Sequence, residues 1–229
     1  MTSSTRRPVV TLDGPAGAGK TSTAKEVARR LGLRHLDSGA LYRALTFALR
    51  QKGIPEARWP DLDEDDLRAL GVSLVRTEGG FEVRHEERVL DHELRTSEVT
   101  SRVSLLASIP AVRACLLELQ RAAGKGGGLV ADGRDMGTVV FPDAEVKVFL
   151  VADLHERARR RILQAGSGPA NAETLAAEAE AIALRDDRDS GRDISPLRRP
   201  EGAVEIDTTA LSFDEQADEI VDLVRRLTL

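Results

Sequence analysis

The chain has 229 residues, 41% hydrophobic and 31% charged, with a net charge of −5 and a single cysteine, Cys115. That is enough chain to bury a substantial core in one domain or one domain bearing insertions. It excludes an internal disulfide, argues against general nucleic-acid binding, and leaves no apolar run near the roughly 18 residues of a membrane span.

Met1–Arg7 leads straight into the apolar run Val9-Val10-Thr11-Leu12 without a separate hydrophobic segment and cleavage site, so the expectation is a cytoplasmic protein. Next comes Gly14-Pro15-Ala16-Gly17-Ala18-Gly19-Lys20-Thr21, then a helical pattern from Thr21 to Leu31 with Gly32 placed to cap it. The loop fits G-x-x-x-x-G-K-[ST] between a strand and a helix, where glycines let backbone N–H groups curl around a triphosphate. A chance match in a chain this long is roughly 1 in 100 before that context is required. Lys20 is placed to reach the outer phosphates, and Thr21 or Ser22 to offer a hydroxyl to Mg²⁺.

Leu33–Leu36 reads as a short strand ending in Asp37-Ser38-Gly39, and Asp37 or Ser38 is a natural cap for a helix over Ala40–Leu49 closed by Gly53. Ile54–Asp66 reads as a solvated linker with an acidic run. Val72–Arg76, Phe81–Arg84 and Arg88–Leu90, separated by tight polar turns, predict a small antiparallel meander inserted in an otherwise α/β pattern. Helices follow over Thr96–Ala107 and from Pro110 to a Gly-rich stop at Gly124–Gly128, with Cys115 among Val112, Leu116 and Leu119 as a buried thiol. Strands are predicted at Leu129–Ala131, Val146–Val151 and Val204–Asp207. Helices are predicted at Leu154–Gln164, about Ala172–Arg188 and Phe213–Leu227, with a loop at Gly166–Pro169.

Strands alternating with helices imply a parallel sheet covered on both faces, with ligands at its C-terminal edge. Asp13, Asp37 and Asp132 end apolar strands and are expected to surround one cleft there; Asp207 ends a fourth. Phosphoryl transfer needs Mg²⁺, Lys and Arg to position oxygens and neutralise charge. Three Arg-rich stations supply it: Arg134 with Asp135; Arg157 to Arg161; and Arg185 to Arg192. Arg157 and Arg161 share a helix face beside a Gly-containing loop, whereas Arg159 and Arg160 read as solvated, and Asp186, Asp187 and Arg188 as surface ion pairs. The four histidines show no metal-ligand spacing and receive no chemistry. GTPases read guanine with N-K-x-D, yet the only Asn, Asn171, precedes Ala172, which favours a small-molecule kinase.

D-S-G-A-L-Y-R at Asp37–Arg43, R-T-S-E-V at Arg95–Val99, A-D-G-R-D-M-G-T-V-V-F-P-D-A at Ala131–Ala144 and R-D-D-R-D at Arg185–Asp189 join the phosphate-binding loop in a pattern spanning about Val9 to Leu227. With these segments the chain resembles the bacterial cytidylate kinases, within the nucleoside monophosphate kinases. The resemblance implies a P-loop kinase fold: a central parallel sheet flanked by helices, a small antiparallel β insertion in the substrate-binding region and a short lid. It implies a core ATP-binding domain over 1–37, 108–156 and 170–229, a CMP-binding region over 38–107 with the β insertion at about 68–95, and a lid over 157–169.

For the site, the resemblance implies ATP with Mg²⁺ as cofactors, bound by Gly14, Pro15, Ala16, Gly17, Ala18, Gly19, Lys20, Thr21 and Ser22. Ser38, Tyr42, Arg43, Ser104, Arg113, Arg134, Asp135, Arg185, Asp189 and Arg192 would surround CMP or dCMP. Arg43 and Arg134 suit its phosphate as planar donors, and Ser104, Arg113 and Asp135 the cytosine edge. Lys20, Arg157, Arg161 and Arg185 are the catalytic candidates. The chain departs from the family pattern in carrying Thr21-Ser22 after the loop lysine and in lacking an Asp at the strand end Val151; which hydroxyl meets Mg²⁺ stays open. The expected partners are small molecules, with neither nucleic acid nor membrane, and the expected state is a monomer. The alternatives are another small-molecule P-loop kinase, acting on UMP, AMP or shikimate, and a P-loop regulator that is not a kinase.

Overall fold

The apolar runs pair as strands, and the helical segments between them fold back over both faces of the resulting sheet. The computed structural model describes residues 7–164 and 171–228. Its strands are β1 (Arg7–Asp13), β2 (Arg34–Asp37), β3 (Val72–Arg76), β4 (Phe81–His85), β5 (Arg88–Val89), β6 (Gly127–Asp132), β7 (Val146–Val151) and β8 (Val204–Asp207). Its helices are α1 (Lys20–Leu31), α2 (Ser38–Gln51), α3 (Glu64–Arg68), α4 (Ser97–Leu106), α5 (Pro110–Ala123), α6 (Leu154–Gln164), α7 (Ala172–Ser190) and α8 (Phe213–Thr228).

The main sheet runs β2-β6-β1-β7-β8 with every neighbour parallel. The central strands β1 and β6, buried on both faces, carry the apolar runs Val9–Leu12 and Leu129–Ala131, whereas the edge strands β2 and β8 are shorter and more polar. Val10, Leu12, Val148 and Leu150 pack with Val27 of α1 and Ile220 and Val224 of α8 on one side. Val9, Leu129 and Met136 form the core on the other. The second lobe has its own core, in which Leu41, Leu45 and Leu49 of α2 meet Leu106, Val112 and Leu116 of α4 and α5. The single tryptophan, Trp59, is buried there and donates Nε1–H to Ile54 O at 3.0 Å.

β3, β4 and β5 form the separate antiparallel sheet read from the turn signals. Its tip meets the main sheet through the backbone of β2, where His35 N–H donates to Gly79 O at 3.2 Å and His35 bridges Gly80, while Leu74 and Phe81 pack on the core beneath. A Cβ on Gly80 would lie 2.6 Å from His35 O. Gly80→Val is therefore expected to cost about 1–3 kcal/mol through overpacking against a backbone that cannot yield, measurable as a lower urea midpoint.

Three local expectations change. The predicted linker contains a 3₁₀ turn at Glu56–Asp61 and the short α3, started by a capping box in which Asp63 and Asp66 exchange bonds; the acidic run is partly a cap. The Gly-rich stop is half strand, because Gly127 and Gly128 pair into β6 once β1 lies alongside. After β6 the chain makes a π-turn at Met136–Val140 that no periodicity announces. The loop at Gly166–Pro169 lies outside the described residues. Among those described, no single helix is long and apolar enough to cross a membrane.

Candidate functional site

The loop Gly14–Gly19 turns between the C-terminal end of β1 and the start of α1. A Cβ on Gly14, at φ +147°, would stand 2.1 Å from Leu150 O, so only glycine lets the loop pass β7. Side chains from distant elements hold its backbone. Ala16 N–H donates to Asp186 Oδ1 at 2.9 Å, Arg157 donates to Ala16 O at 3.0 Å and pairs with Asp186, and Thr208 Oγ1 donates to Ala18 O at 3.3 Å. Helix α1 begins without a side-chain cap, so the N–H groups of its first turn remain available to an anion. Lys20 is 6% exposed and donates Nζ–H to Pro15 O at 2.6 Å; burial, helped by Arg134, holds its ammonium well below the usual value.

In front of the loop lies a cavity of about 710 Å³ whose lining includes Lys20, Thr21, Arg43, Arg134, Arg161 and Arg185. Burial pushes the Arg43 guanidinium down to about 10, against the pull of Asp37. Burial followed by the charges of Arg134 and Arg43 pushes Arg185 down to about 9. Arg43 gives its N–H groups to neutral acceptors, Leu94 O at 3.1 Å and Thr100 Oγ1 at 2.8 Å, and the buried Arg185 Nε has no partner among the described residues. Clustered, partly desolvated like charges are costly until an anion enters between them.

One wall of this cavity carries carboxylates. Asp37 and Asp132 are register partners on β2 and β6, and burial followed by the charge of Asp132 raises Asp37. Thr21 Oγ1–H donates to Asp132 Oδ2 at 2.6 Å, which leaves the lone pairs of the hydroxyl oxygen free. This all-oxygen set fits Mg²⁺, which binds through one or two carboxylates and phosphate oxygens and keeps several waters. No group of three or more His, Cys, Asp or Glu that could hold a metal ion occurs among the described residues.

A second cavity, of about 420 Å³, opens beside the first and shares Arg134 and Arg185 with it. Nine of the ten residues expected around the acceptor line it: Ser38, Tyr42, Ser104, Arg113, Arg134, Asp135, Arg185, Asp189 and Arg192. The tenth, Arg43, stands in the phosphate cavity. The Arg113 guanidinium lies 5.4 Å from the Tyr42 ring centroid, pairs with Asp135 and donates to Ala107 O at 3.0 Å. Ser104 Oγ, Arg113 Nε and one terminal nitrogen of Arg192 are buried without partners among the described residues. Arg134 Nε donates to Asp189 at 2.9 Å. Burial alone would raise the Asp189 carboxyl, but Arg134, Arg185 and Arg192 together hold it below the usual range.

A third cavity, about 950 Å³, lies across the loop from these, between α6 and the start of α8; Arg160, Arg161, Gln164, Leu211, Phe213 and Gln216 are among its lining. Sequence reasoning missed Leu211, Phe213 and Gln216, ordinary residues whose spacing carries no signal.

Several expectations are revised. Asp13 does not line the cleft: it is fully buried and accepts N–H from Met136 and Gly137, both at 2.8 Å, holding the π-turn; burial pushes its carboxyl up to about 7 although those bonds oppose it. Arg157 and Arg161 do not act as one face, since Arg157 is buried against the loop backbone while Arg161 reaches the cavity and pairs with Glu178 at 2.6 Å. Arg160 is not merely solvated, because it donates to Thr208 O at 2.5 Å and Thr208 Oγ1 at 3.0 Å. Asp186 is the loop clamp and no surface pair; on α7 it points inward with Ile182, Arg185 and Asp189, whereas Asp187 and Arg188 are exposed. His35, given no role, donates Nε2–H to Asp132 Oδ1 at 2.8 Å.

The family model described as "Cytidylate kinase" matches residues 10–226. A cytidylate kinase from Exiguobacterium sp. (strain ATCC BAA-1283 / AT1b) is 44% identical over 220 residues, covering 95% of this chain and 96% of its own. A bifunctional pantoate ligase/cytidylate kinase from Synechococcus sp. (strain RCC307) is 41% identical over 96% of this chain, which spans only 43% of that relative. Other bifunctional relatives are spanned to a similar extent, about two fifths of their length. Among solved structures, an uncharacterized protein from Eubacterium ventriosum ATCC 27560 shares the fold at 10% identity, with a TM-score of 0.52 and coverage of 96% and 99% of the two chains. The family match over residues 10–226 and identity above 40% over nearly the whole chain show that the chain belongs to the cytidylate kinase family.

Proposed function

We propose that the protein transfers the γ-phosphoryl group of ATP directly to CMP, and to dCMP, giving ADP with CDP or dCDP. The observation that carries this reading is the pair of arginines, Arg134 and Arg185, shared between the acceptor cavity and the phosphate cavity. In this reading a phosphate oxygen of CMP attacks the γ-phosphorus, the bond to the ADP oxygen breaks, and no covalent enzyme intermediate forms. The loop amides of Gly14–Gly19 and Lys20 hold the β- and γ-phosphates, and the third cavity takes the nucleoside of ATP.

Arg185 and Arg161 face the transferred group, while Arg157 shapes the loop from behind. Arg43 and Arg134 hold the CMP phosphate. Asp135 accepts from the exocyclic amine of cytosine, with Ser104 and Arg113 donating to its remaining edge; uracil would set a carbonyl against Asp135. Tyr42 and Ser38 line the nucleoside, and Asp189 and Arg192 its ribose side. Thr21, rather than Ser22, is the hydroxyl for Mg²⁺, because only Thr21 is bonded to Asp132. When bound, Mg²⁺ supplies charge neutralisation on the phosphates.

The division into a core (1–37, 108–156, 170–229), a CMP region (38–107) and a lid (157–169) is kept as part of the proposal, with the helical part of the lid, 157–164, belonging to α6. We take the protein to work as a monomer in the cytoplasm on small molecules only. A coupled ADP-release assay over CMP, dCMP, UMP, AMP, GMP and shikimate tests the substrate: CMP and dCMP are expected to turn over fastest, and faster use of AMP would overturn the base assignment. Arg134→Ala is expected to raise KM for CMP at least tenfold while leaving ATP binding within about twofold, consistent with the loss of a charge-assisted bond at roughly 1.5–3 kcal/mol. Equal loss of both would make Arg134 structural.

A further inference from the structure

We propose that His35 is a positioning residue for Asp132, and that the tip of the small antiparallel sheet sets His35 in place. The inference rests on the reading of Thr21 and Asp132 as the Mg²⁺ partners. Each carboxylate oxygen of Asp132 has its own donor: Oδ2 takes the Thr21 hydroxyl at 2.6 Å, and Oδ1 takes His35 Nε2–H at 2.8 Å. A carboxylate bonded at both oxygens cannot rotate about its own axis, so its orientation toward the phosphate cavity is set before a ligand arrives. The side chain of His35 is 14% exposed and that of Asp132 3%. Little water competes for the bond. His35 is absent from the lining of the phosphate cavity, so it acts through Asp132 and touches no ligand itself.

The backbone of the same residue receives the insertion. His35 N–H donates to Gly79 O at 3.2 Å, and Gly80 sits so close to His35 O that a Cβ would approach it to 2.6 Å. The hairpin tip between β3 and β4 therefore braces the stretch of β2 that carries the ring, and links the small sheet to the Thr21 hydroxyl at the start of α1 through the side chains of His35 and Asp132. This gives the insertion a role in the donor half of the cleft, besides its place in the acceptor lobe.

The test measures equilibrium binding of ADP by calorimetry in Mg²⁺ and in EDTA, without acceptor, for the unmodified protein and for His35→Leu, His35→Asn and His35→Gln. The Leu and Asn variants, one apolar and one too short to reach, are expected to lose about tenfold or more of the gain in ADP affinity that Mg²⁺ confers. Their affinity in EDTA and their affinity for CMP are expected to stay within about twofold. His35→Gln, whose amide N–H can reach Asp132, is expected to recover most of the gain. The proposal is overturned if Leu and Asn keep the full Mg²⁺ gain, if they lose affinity equally in Mg²⁺ and EDTA, or if Gln behaves as they do. An unmodified protein without any Mg²⁺ gain would instead refute the metal assignment itself, and the inference with it.

Discussion

Arg185→Met is expected to lower kcat for CMP phosphorylation by about 10³-fold, the effect associated with an arginine that stabilises a transferring phosphoryl group. Arg185 lies on the wall common to the acceptor and phosphate cavities, with its Nε buried and unpartnered. Burial and the neighbouring Arg134 and Arg43 hold its guanidinium down at about 9. In the absence of ligand that arrangement is unfavourable, and negative charge between the arginines relieves it. The same substitution is therefore expected to raise the melting temperature of the ligand-free protein while abolishing most turnover, the opposite signs expected of a strained functional site. Steady-state kinetics with thermal unfolding checks both, and a kcat within tenfold of the unmodified protein would remove Arg185 from the chemistry.

Lys20→Met is expected to lower kcat by about 10²–10³-fold and to weaken ATP binding, with CMP affinity unchanged. Lys20 is held in place before any nucleotide arrives, through Pro15 O in its own loop, and is desolvated beside Arg134. A buried ammonium with a single carbonyl partner retains donors for phosphate oxygens. Arg134→Ala is expected to affect the other nucleotide, so the two variants together separate the donor half of the cleft from the acceptor half. Titration of each variant with ATP and with CMP distinguishes this from a general loss of folding, which would weaken both.

The strands and helices were most legible where an apolar pattern repeats against a clear boundary. β7, β8 and α6 begin and end where the spacing of Val146–Val151, Val204–Asp207 and Leu154–Gln164 puts them. The phosphate-binding loop was equally legible, since its glycines answer to local backbone demands such as the approach of Gly14 to Leu150. Side-chain direction was not. A run of arginines on α6 shows which positions share a helix face, but which face the loop backbone covers depends on how α6 packs. That packing buries Arg157 and leaves Arg161 at the cavity. Asp13 and Asp132 look alike as strand ends. The π-turn at Met136–Val140 claims one and leaves the other to Thr21, and no local pattern foretells that turn. His35 is a lone histidine in a short strand; its meaning depends on the register of β2 against β6, which brings its ring to Asp132, 97 positions along the chain.

The central claim is that one cleft holds two nucleotides and moves a phosphoryl group between them. Following ³¹P resonances of equimolar MgATP and CMP after adding the protein tests it most directly. The expected result is matched growth of the ADP and CDP signals, dependent on CMP and without a phosphoprotein signal. Growth of ADP with inorganic phosphate and no CDP would contradict it.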